Sequence, residues 1–354
     1  MPLNRPSKPV EEDEEPEERE HFWRGLIRDL IIAAIIVVVI LAAMYAYTGL
    51  WPPLVVVESG SMQHSNSESF IGVIDTGDMV FQQAAPTRSS VTTYIEGRAS
   101  GYSTYGDYGD VIIFNRAGNP TPVIHRAIMF ISLHANGTAD VPDLGLLTGW
   151  QATNAAGQPT TTPYFLRSVT IHNMGFQHDL GITFVFCGGP SPPACQSGFA
   201  GFGPRDAYVT MGDNNAYLYC SLQHDPCQAS TPYDTGWLPR QGDIIGRARG
   251  EIPWFGLLKL TLAPTESCCT SWGSPDAPKN SWDSLLVSLI FLLALPLILE
   301  YAGRSWTKYI APRLPEIPWP WKRRSRADRF DPPDRDDRPR RREKKPPKEE
   351  SFEL

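Results

Sequence analysis

Two long apolar runs stand near the ends of this chain, and between them apolar residues come only in short bursts. The first run, Leu30 to Tyr47, carries no charge. At ~1.5 Å rise per residue it covers most of a ~30 Å hydrocarbon core and predicts a membrane-spanning helix within residues 26–50. An acidic stretch precedes it and Gly-Leu-Trp-Pro-Pro comes after it, unlike the basic start and small-residue cleavage site of a secretory leader, so it reads as a retained anchor. The second run, Trp282 to Tyr301, has a shorter apolar centre and contains Pro296, with Trp282, Tyr301 and Trp306 where an aromatic belt would lie. It reads as a second span over 282–301, against the alternative of a buried amphipathic helix.

Between the runs the bursts are β-branched or aromatic: Val55–Val57, Met79–Phe81, Val111–Phe114, Val123–Ile131, 181–186, Tyr208–Met211 and 244–248. Gly, Pro, Asn and Asp punctuate them and helical periodicity is hard to find, which predicts a mostly β domain. Two stretches read as excursions from its core. One is 83–108, rich in Ser, Thr, Gly and Tyr; the other is 132–207, which has strand-like runs of its own and predicts an inserted, smaller β-rich region.

Charge then orients the spans. Arg24 and Arg28 precede the first, no basic residue comes after it before Arg88, and Arg304, Lys308, Arg313, Lys322, Arg323 and Arg324 lie beyond the second. Both termini are expected in the cytoplasm, with residues 51–281 outside as one domain. Residues 1–25 form an acidic tail, and 302–354 a charged, Pro-rich one. Residues 322–354 mix 13 Lys and Arg with 9 Asp and Glu, too polar to bury a core. The chain's net charge of -7 therefore says little about substrates. The basic tail reads as a solvated tether, with anionic lipid heads or a partner as the other option.

All six cysteines, Cys187, Cys195, Cys220, Cys227, Cys268 and Cys269, fall in the external segment, where disulfides persist. The local pairs Cys187 with Cys195 and Cys220 with Cys227 are the simplest connectivity, and adjacency argues against a bond between Cys268 and Cys269. No Cys-x-x-Cys spacing occurs and His224 alone lies near a cysteine cluster, so the pattern does not favour zinc.

Shortly after the first span comes Val-Val-Val-Glu-Ser-Gly-Ser-Met, a strand running into a glycine turn. Such a turn lifts the Ser61 hydroxyl clear of the sheet and points its backbone N–H at the same place. A serine hydroxyl needs a base within hydrogen-bond reach and donors for the oxyanion. Among the histidines, His21 falls on the cytoplasmic side, and His64 lies too close along the chain to face Ser61 easily. His134, His172, His178 and His224 lie in loop-like or inserted segments. His125, in Pro-Val-Ile-His-Arg-Ala-Ile, sits among apolar residues of a strand, a costly place for an unpaired imidazole. A structural histidine fits that position as well.

In order along the chain, Ser-Gly-Ser-Met, Gly-Asp-Val-Ile-Ile-Phe, Ile-His-Arg-Ala-Ile, Met-Gly-Asp-Asn-Asn and Ile-Gly-Arg-Ala-Arg-Gly-Glu-Ile-Pro-Trp-Phe-Gly resemble the type I signal peptidases. The His-Arg step resembles their archaeal and endoplasmic-reticulum branch. The match covers about a third of the external domain and leaves both excursions and both tails outside. The resemblance implies a coiled antiparallel β catalytic domain at a membrane, with Ser61 as nucleophile, His125 as general base, and Ser59 as an oxyanion donor beside the Ser61 N–H. It implies Asp213 as an acid supporting the site, its carboxylate in a turn able to hold backbone N–H groups.

The sequence departs from the family in two places. Tyr219 stands where the family has a second Asp, so Asp225, with Asp234 behind it, is the candidate to orient His125. Gln63-His64-Ser65 stands where a proline is usual. Implied substrates are the signal peptides of secretory preproteins, with membrane lipids and the protein-export channel as contacts and no cofactor, metal or nucleic acid. Two other readings stay open: a tethered binding ectodomain, and a self-cleaving regulator. Regulators of that kind use a lysine base, and Lys259 and Lys279, the external domain's lysines, lie outside the base-strand motif.

Overall fold

The computed structural model describes residues 16–187, 198–221, 226–229 and 235–310. Helix α1 (Pro16–Thr48) comes first, and its Trp23–Thr48 stretch is long and apolar enough to cross a membrane. Its last turn is fastened to the strands beyond it: Tyr47 Oη–H donates to the carbonyl of Arg249 at 3.2 Å, and Gln83 Nε2 donates to the carbonyl of Tyr47 at 3.4 Å.

Short strands then build one sheet. They are β1 (Leu54–Val56), β2 (Met79–Ala84), the small pair β3 (Ser103–Thr104) and β4 (Asp107–Tyr108), β5 (Val111–Arg116), β6 (Asn119–Leu133) and β7 (Ala139–Asp140). Beyond them come β8 (Gln151–Asn154), β9 (Pro159–Thr160), β10 (Leu166–Met174), β11 (Leu180–Val185), β12 (Arg205–Met211), β13 (Cys227–Ala229) and β14 (Ile244–Ile252). Among the described residues, 12 strands share the sheet in the order β1-β2-β14-β5-β6-β7-β10-β11-β13, with β12 also on β6, β8 on β10 and β9 on β8; β3 and β4 pair separately. The pairings are antiparallel apart from β11 with β13.

The order accords with burial. Val111–Phe114 of β5 is buried on both faces, as a near-continuous apolar strand in mid-sheet must be. β6 changes character along its length: residues 119–124 are exposed or half-buried, and His125 through Met129 are buried. One apolar cluster, with Val57, Ile74, Val80, Val111 and Ala248, takes in Met62, the residue after Ser61. A second, around Ile112, Phe114, Ala127 and Tyr208, lies across β5, β6 and β12. The strands of 132–207 carry the sheet on from the far end of β6 and pack a larger cluster with Val169, Phe184 and Phe199.

Three short helices lie among or just after the strands, where periodicity gave no sign of them. α2 (Tyr94–Ser100) starts with a capping box, in which Thr93 Oγ1 accepts from Glu96 N–H and the Glu96 carboxylate accepts from Thr93 N–H, and it stops at Gly101 in the left-handed region. α3 (Asp213–Cys220) begins at a residue read from sequence as part of a turn; the Asp213 carboxylate in its first turn complements the helix dipole. α4 (Gly256–Leu262) precedes α5 (Lys279–Ser305), the second helix long and apolar enough to cross a membrane.

The chain divides into two units, Met1–Phe291 and Leu292–Leu354. The first holds the whole sheet; the described part of the second is the remainder of α5 and the π-helical turn Trp306–Ile310.

Cys220 and Cys227 form a disulfide, as their spacing suggested. Cys268 bonds to Cys269, a pairing that adjacency argued against. Both are buried with Leu257, Leu260, Ala277 and Trp282, a closed apolar setting in which each sulfur's neighbour is the other. Cys195, the expected partner of Cys187, lies outside the described residues.

Candidate active site

Ser61 stands in a single 310 turn, Gly60–Met62, shortly beyond β1. The turn closes with Gln63 N–H donating to the carbonyl of Gly60 at 3.2 Å, so the amides that start it, including Ser61 N–H, have no partner within it. Ser59 Oγ lies 3.5 Å from Ser61 Oγ, at the outer limit of a hydrogen bond. The turn is braced from below. Val57 N–H donates to the carbonyl of Asp78 and Gly77 N–H to that of Val57, both at 2.9 Å, while the buried Gln63 amide oxygen accepts from Thr76 N–H at 3.2 Å and Thr76 Oγ1 at 2.5 Å.

His125 lies opposite Ile112 in the β5–β6 register, 4% exposed, with its ring edge-on to Phe114 at 6.4 Å. Ser59, Ser61 and His125 line one open cleft of about 840 Å³. Val55 and Val56 of β1, Val57 just beyond it, and Pro122–His125 of β6 form parts of its wall, with Asn215 from α3, Lys259 from α4 and the loop Thr265–Ser267. Lys259 is thus brought to a serine that it does not approach in sequence. Its Nζ pairs with Glu58 Oε1 at 2.7 Å and its side chain is half-exposed. It therefore lacks the desolvation a lysine base needs.

Asp213 does something other than hold a turn's amides. Arg126, next in chain to His125 and 1% exposed, donates to it twice, Nε to Oδ1 at 2.8 Å and Nη2 to Oδ2 at 2.6 Å. His64 Nε2 lies 3.0 Å from Oδ2. Burial works against the Asp213 charge, but Arg126 and then His64 outweigh it and hold the carboxyl below the usual range. An ionised carboxylate only accepts, so His64 Nε2 carries the proton between them. Arg126 also donates through Nη1 to the carbonyls of Thr104, Asp107 and Tyr108, at 3.0, 3.1 and 3.1 Å, so the first excursion folds around this one guanidinium.

The next residue, Asn214, donates from Nδ2 to the carbonyl of Gly60 at 2.8 Å. A third link joins the Gly-Asp and Arg-Ala-Arg segments: buried Asp110 takes Arg249 Nη1 at 2.8 Å and Tyr102 Oη–H at 2.7 Å. Gly109 beside it has φ +78, and a Cβ there would lie 2.6 Å from the Thr93 carbonyl carbon, so only glycine admits the start of α2.

Three carboxyl groups lie around the loop beyond Ser61. Burial pushes Asp75 up to about 6, and burial reinforced by Asp75 and Glu251 pushes Asp78 up to about 8. Glu251, whose Oε1 accepts from Gly72 N–H, is pushed up to about 7 by burial, with Asp75 adding to it. None of the three was singled out by sequence, although Asp75-Thr76-Gly77-Asp78 in an otherwise apolar stretch was the available signal. Asp225 and Asp234 lie outside the described residues; Thr235, the residue after Asp234, is on the cleft wall. Among the described residues no cluster of His, Cys, Asp and Glu has the makings of a metal site. Comparison with protein families, characterised proteins and solved structures gives no match.

Proposed function

We propose that this chain is a membrane-bound serine endopeptidase that removes signal peptides from secretory preproteins, with Ser61 as nucleophile and His125 as general base. The observation that carries the reading is the cleft that Ser61, Ser59 and His125 share. A serine on a tight turn and a nearly buried histidine, from distant parts of the chain, face the same open volume, which is what attack on a bound peptide requires.

In this reading Ser61 Oγ attacks the scissile carbonyl while His125 takes its proton and later delivers it to the leaving amine. The Ser61 N–H and the Ser59 hydroxyl receive the oxyanion. Among the described residues β1 stands at the end of the strand order and contributes Val55 and Val56 to the cleft, so an extended substrate adds to its outer edge. Both Asp213 oxygens are engaged by Arg126 and His64, so in this reading it supports the site indirectly, and Asp225, on the ground of sequence with Asp234 behind it, is the acid that orients His125.

The two apolar helices cross the bilayer, both termini lie in the cytoplasm, and residues 51–281 form the external coiled β catalytic domain with 132–207 as its inserted region. Substrates arrive from the protein-export channel, and lipid heads border the domain. Cleavage of a model preprotein by the purified full chain in detergent, absent in Ser61→Ala, is the expected result. Equal cleavage by the alanine variant would refute the reading.

A further inference from the structure

His64 is two residues beyond the Ser61 turn, yet it is absent from the cleft wall. Its ring is enclosed by three separate parts of the chain. The Phe176 ring, in the turn between β10 and β11, stacks on it at 3.8 Å between centroids and 8° between planes. Asp213, at the start of α3, accepts its Nε2–H at 3.0 Å. Gly106, between β3 and β4, comes close to the ring's Cε1–Nδ1 edge: a Cβ there would lie 2.8 Å from His64 Cε1 and 3.2 Å from Nδ1. Phe176 is in turn held by Tyr217 of α3, at 4.5 Å between centroids, and Tyr217 Oη–H donates to Asp179 at 2.7 Å. Both excursions and α3 therefore converge on one imidazole. On its other flank the loop is fixed by the Gln63–Thr76 bonds.

We propose that His64 is a positioning residue: it clamps the loop leaving Ser61 to Asp213, and Phe176 gives the region 132–207 a hold on the nucleophile through it. The proposal rests on the reading of Ser61 as nucleophile. Stacking two rings and bonding the imidazole to an already paired carboxylate removes the freedom of a segment that is otherwise polar, Gln63-His64-Ser65-Asn66-Ser67. A nucleophile displaced by ~1 Å loses on the order of 10² in rate, so a clamp three residues away acts on turnover more than on binding.

The test uses the full chain in detergent and the variants His64→Ala, His64→Gln, Phe176→Ala and Phe176→Tyr, with two readouts. One is amide hydrogen exchange across residues 59–66; the other is kcat and KM on a model preprotein. His64→Ala is expected to raise exchange in 59–66 at least ~10-fold and to cut kcat by ~10–10², with KM changed less than ~3-fold. His64→Gln, whose amide still donates to Asp213, recovers most of both. Phe176→Ala, remote in sequence and half-buried, also raises exchange in 59–66, whereas a merely local role would raise it only around 175–179; Phe176→Tyr stays near wild type. Exchange in 59–66 unchanged by both alanine variants overturns the clamp. A wild-type protein that cleaves no preprotein refutes the peptidase reading alone, because the exchange measurement still decides the clamp.

Discussion

Arg126 and Asp213 form a buried ion pair with two parallel hydrogen bonds, each partner belonging to a segment that also supplies the cleft: Arg126 comes directly after His125, and Asp213 precedes Asn214 and Asn215. The pair fixes β6 against α3, and through the Asn214 bond to Gly60 it also fixes the Ser61 turn.

Removing one partner leaves the other charge buried. Asp213→Asn and Arg126→Met are each expected to destabilise the folded domain by about 3–5 kcal/mol, with less loss in the double variant than in the sum. Arg126→Lys does not rescue, because a lysine cannot supply the two-pronged bond together with the carbonyl contacts in 104–108. Denaturant unfolding followed by tryptophan fluorescence measures this.

If Ser61 and His125 act as the proposed unit, Ser61→Ala and His125→Ala are each expected to remove nearly all preprotein cleavage, with little further loss when combined. His125→Lys is expected to be inactive, since an ammonium on a long flexible stem does not reproduce an imidazole, which takes the serine proton on one nitrogen and is oriented through the other. Kinetics on purified variants give the result, and near-normal turnover in either alanine variant would count against the assignment.

Asp225→Asn is expected to cut turnover by ~10² or more with KM little changed, through loss of the imidazole's orientation and charge partner. Asp234→Asn is then mild, and reduction of the Cys220–Cys227 bond, which closes the loop containing Asp225, gives the Asp225→Asn phenotype. The reverse pattern would give the post to Asp234, next to cleft-lining Thr235.

The acids around the loop beyond Ser61 give an unusual pH response. Asp75 and Asp78 titrate near 6 and 8 when folded but near the ordinary carboxyl value when unfolded, so between about pH 4 and 8 the folded state binds more protons. Their contribution to stability is full below about pH 4 and is lost as pH rises through 6 and 8, by at most ~1.4 kcal/mol per pH unit for each proton. Asp213, held low, works the other way: its contribution is present at neutral pH and is lost only in acid. Unfolding free energy is expected to fall from pH 6 to 8, and Asp78→Asn to flatten that fall. A wild-type profile that rises over that range would show that these acids are not protonated in the fold.

What the sequence made legible was mainly local. The buried run of β5, the apolar half of β6 and the short β-branched burst at β1 announce themselves by composition, whereas β8 and β9 consist of polar, Thr-bearing segments that strand patterning does not single out. α2 is too short for helical periodicity, though Thr93-x-x-Glu96 was a capping signal in plain view. The five family-like segments could be ordered along the chain, but not the contacts Arg126 to Asp213, Asp110 to Arg249 and Asn214 to Gly60, which depend on long-range register. His64 was set aside because its neighbour in sequence was the wrong partner to consider; its partner is Asp213, 149 positions away along the chain.

The join between α1 and the sheet has a kinetic consequence. Tyr47 is already bonded to β14 and β2 before the helix ends, and only residues 49–53 separate α1 from β1. With α1 in a bilayer, so short a leash prevents the cleft from sweeping through solution, and encounters become lateral ones. Under the proposed function, the rate of cleavage would then track the number of protein and preprotein molecules per unit area of lipid, and diluting both into more bilayer at fixed total volume would slow it.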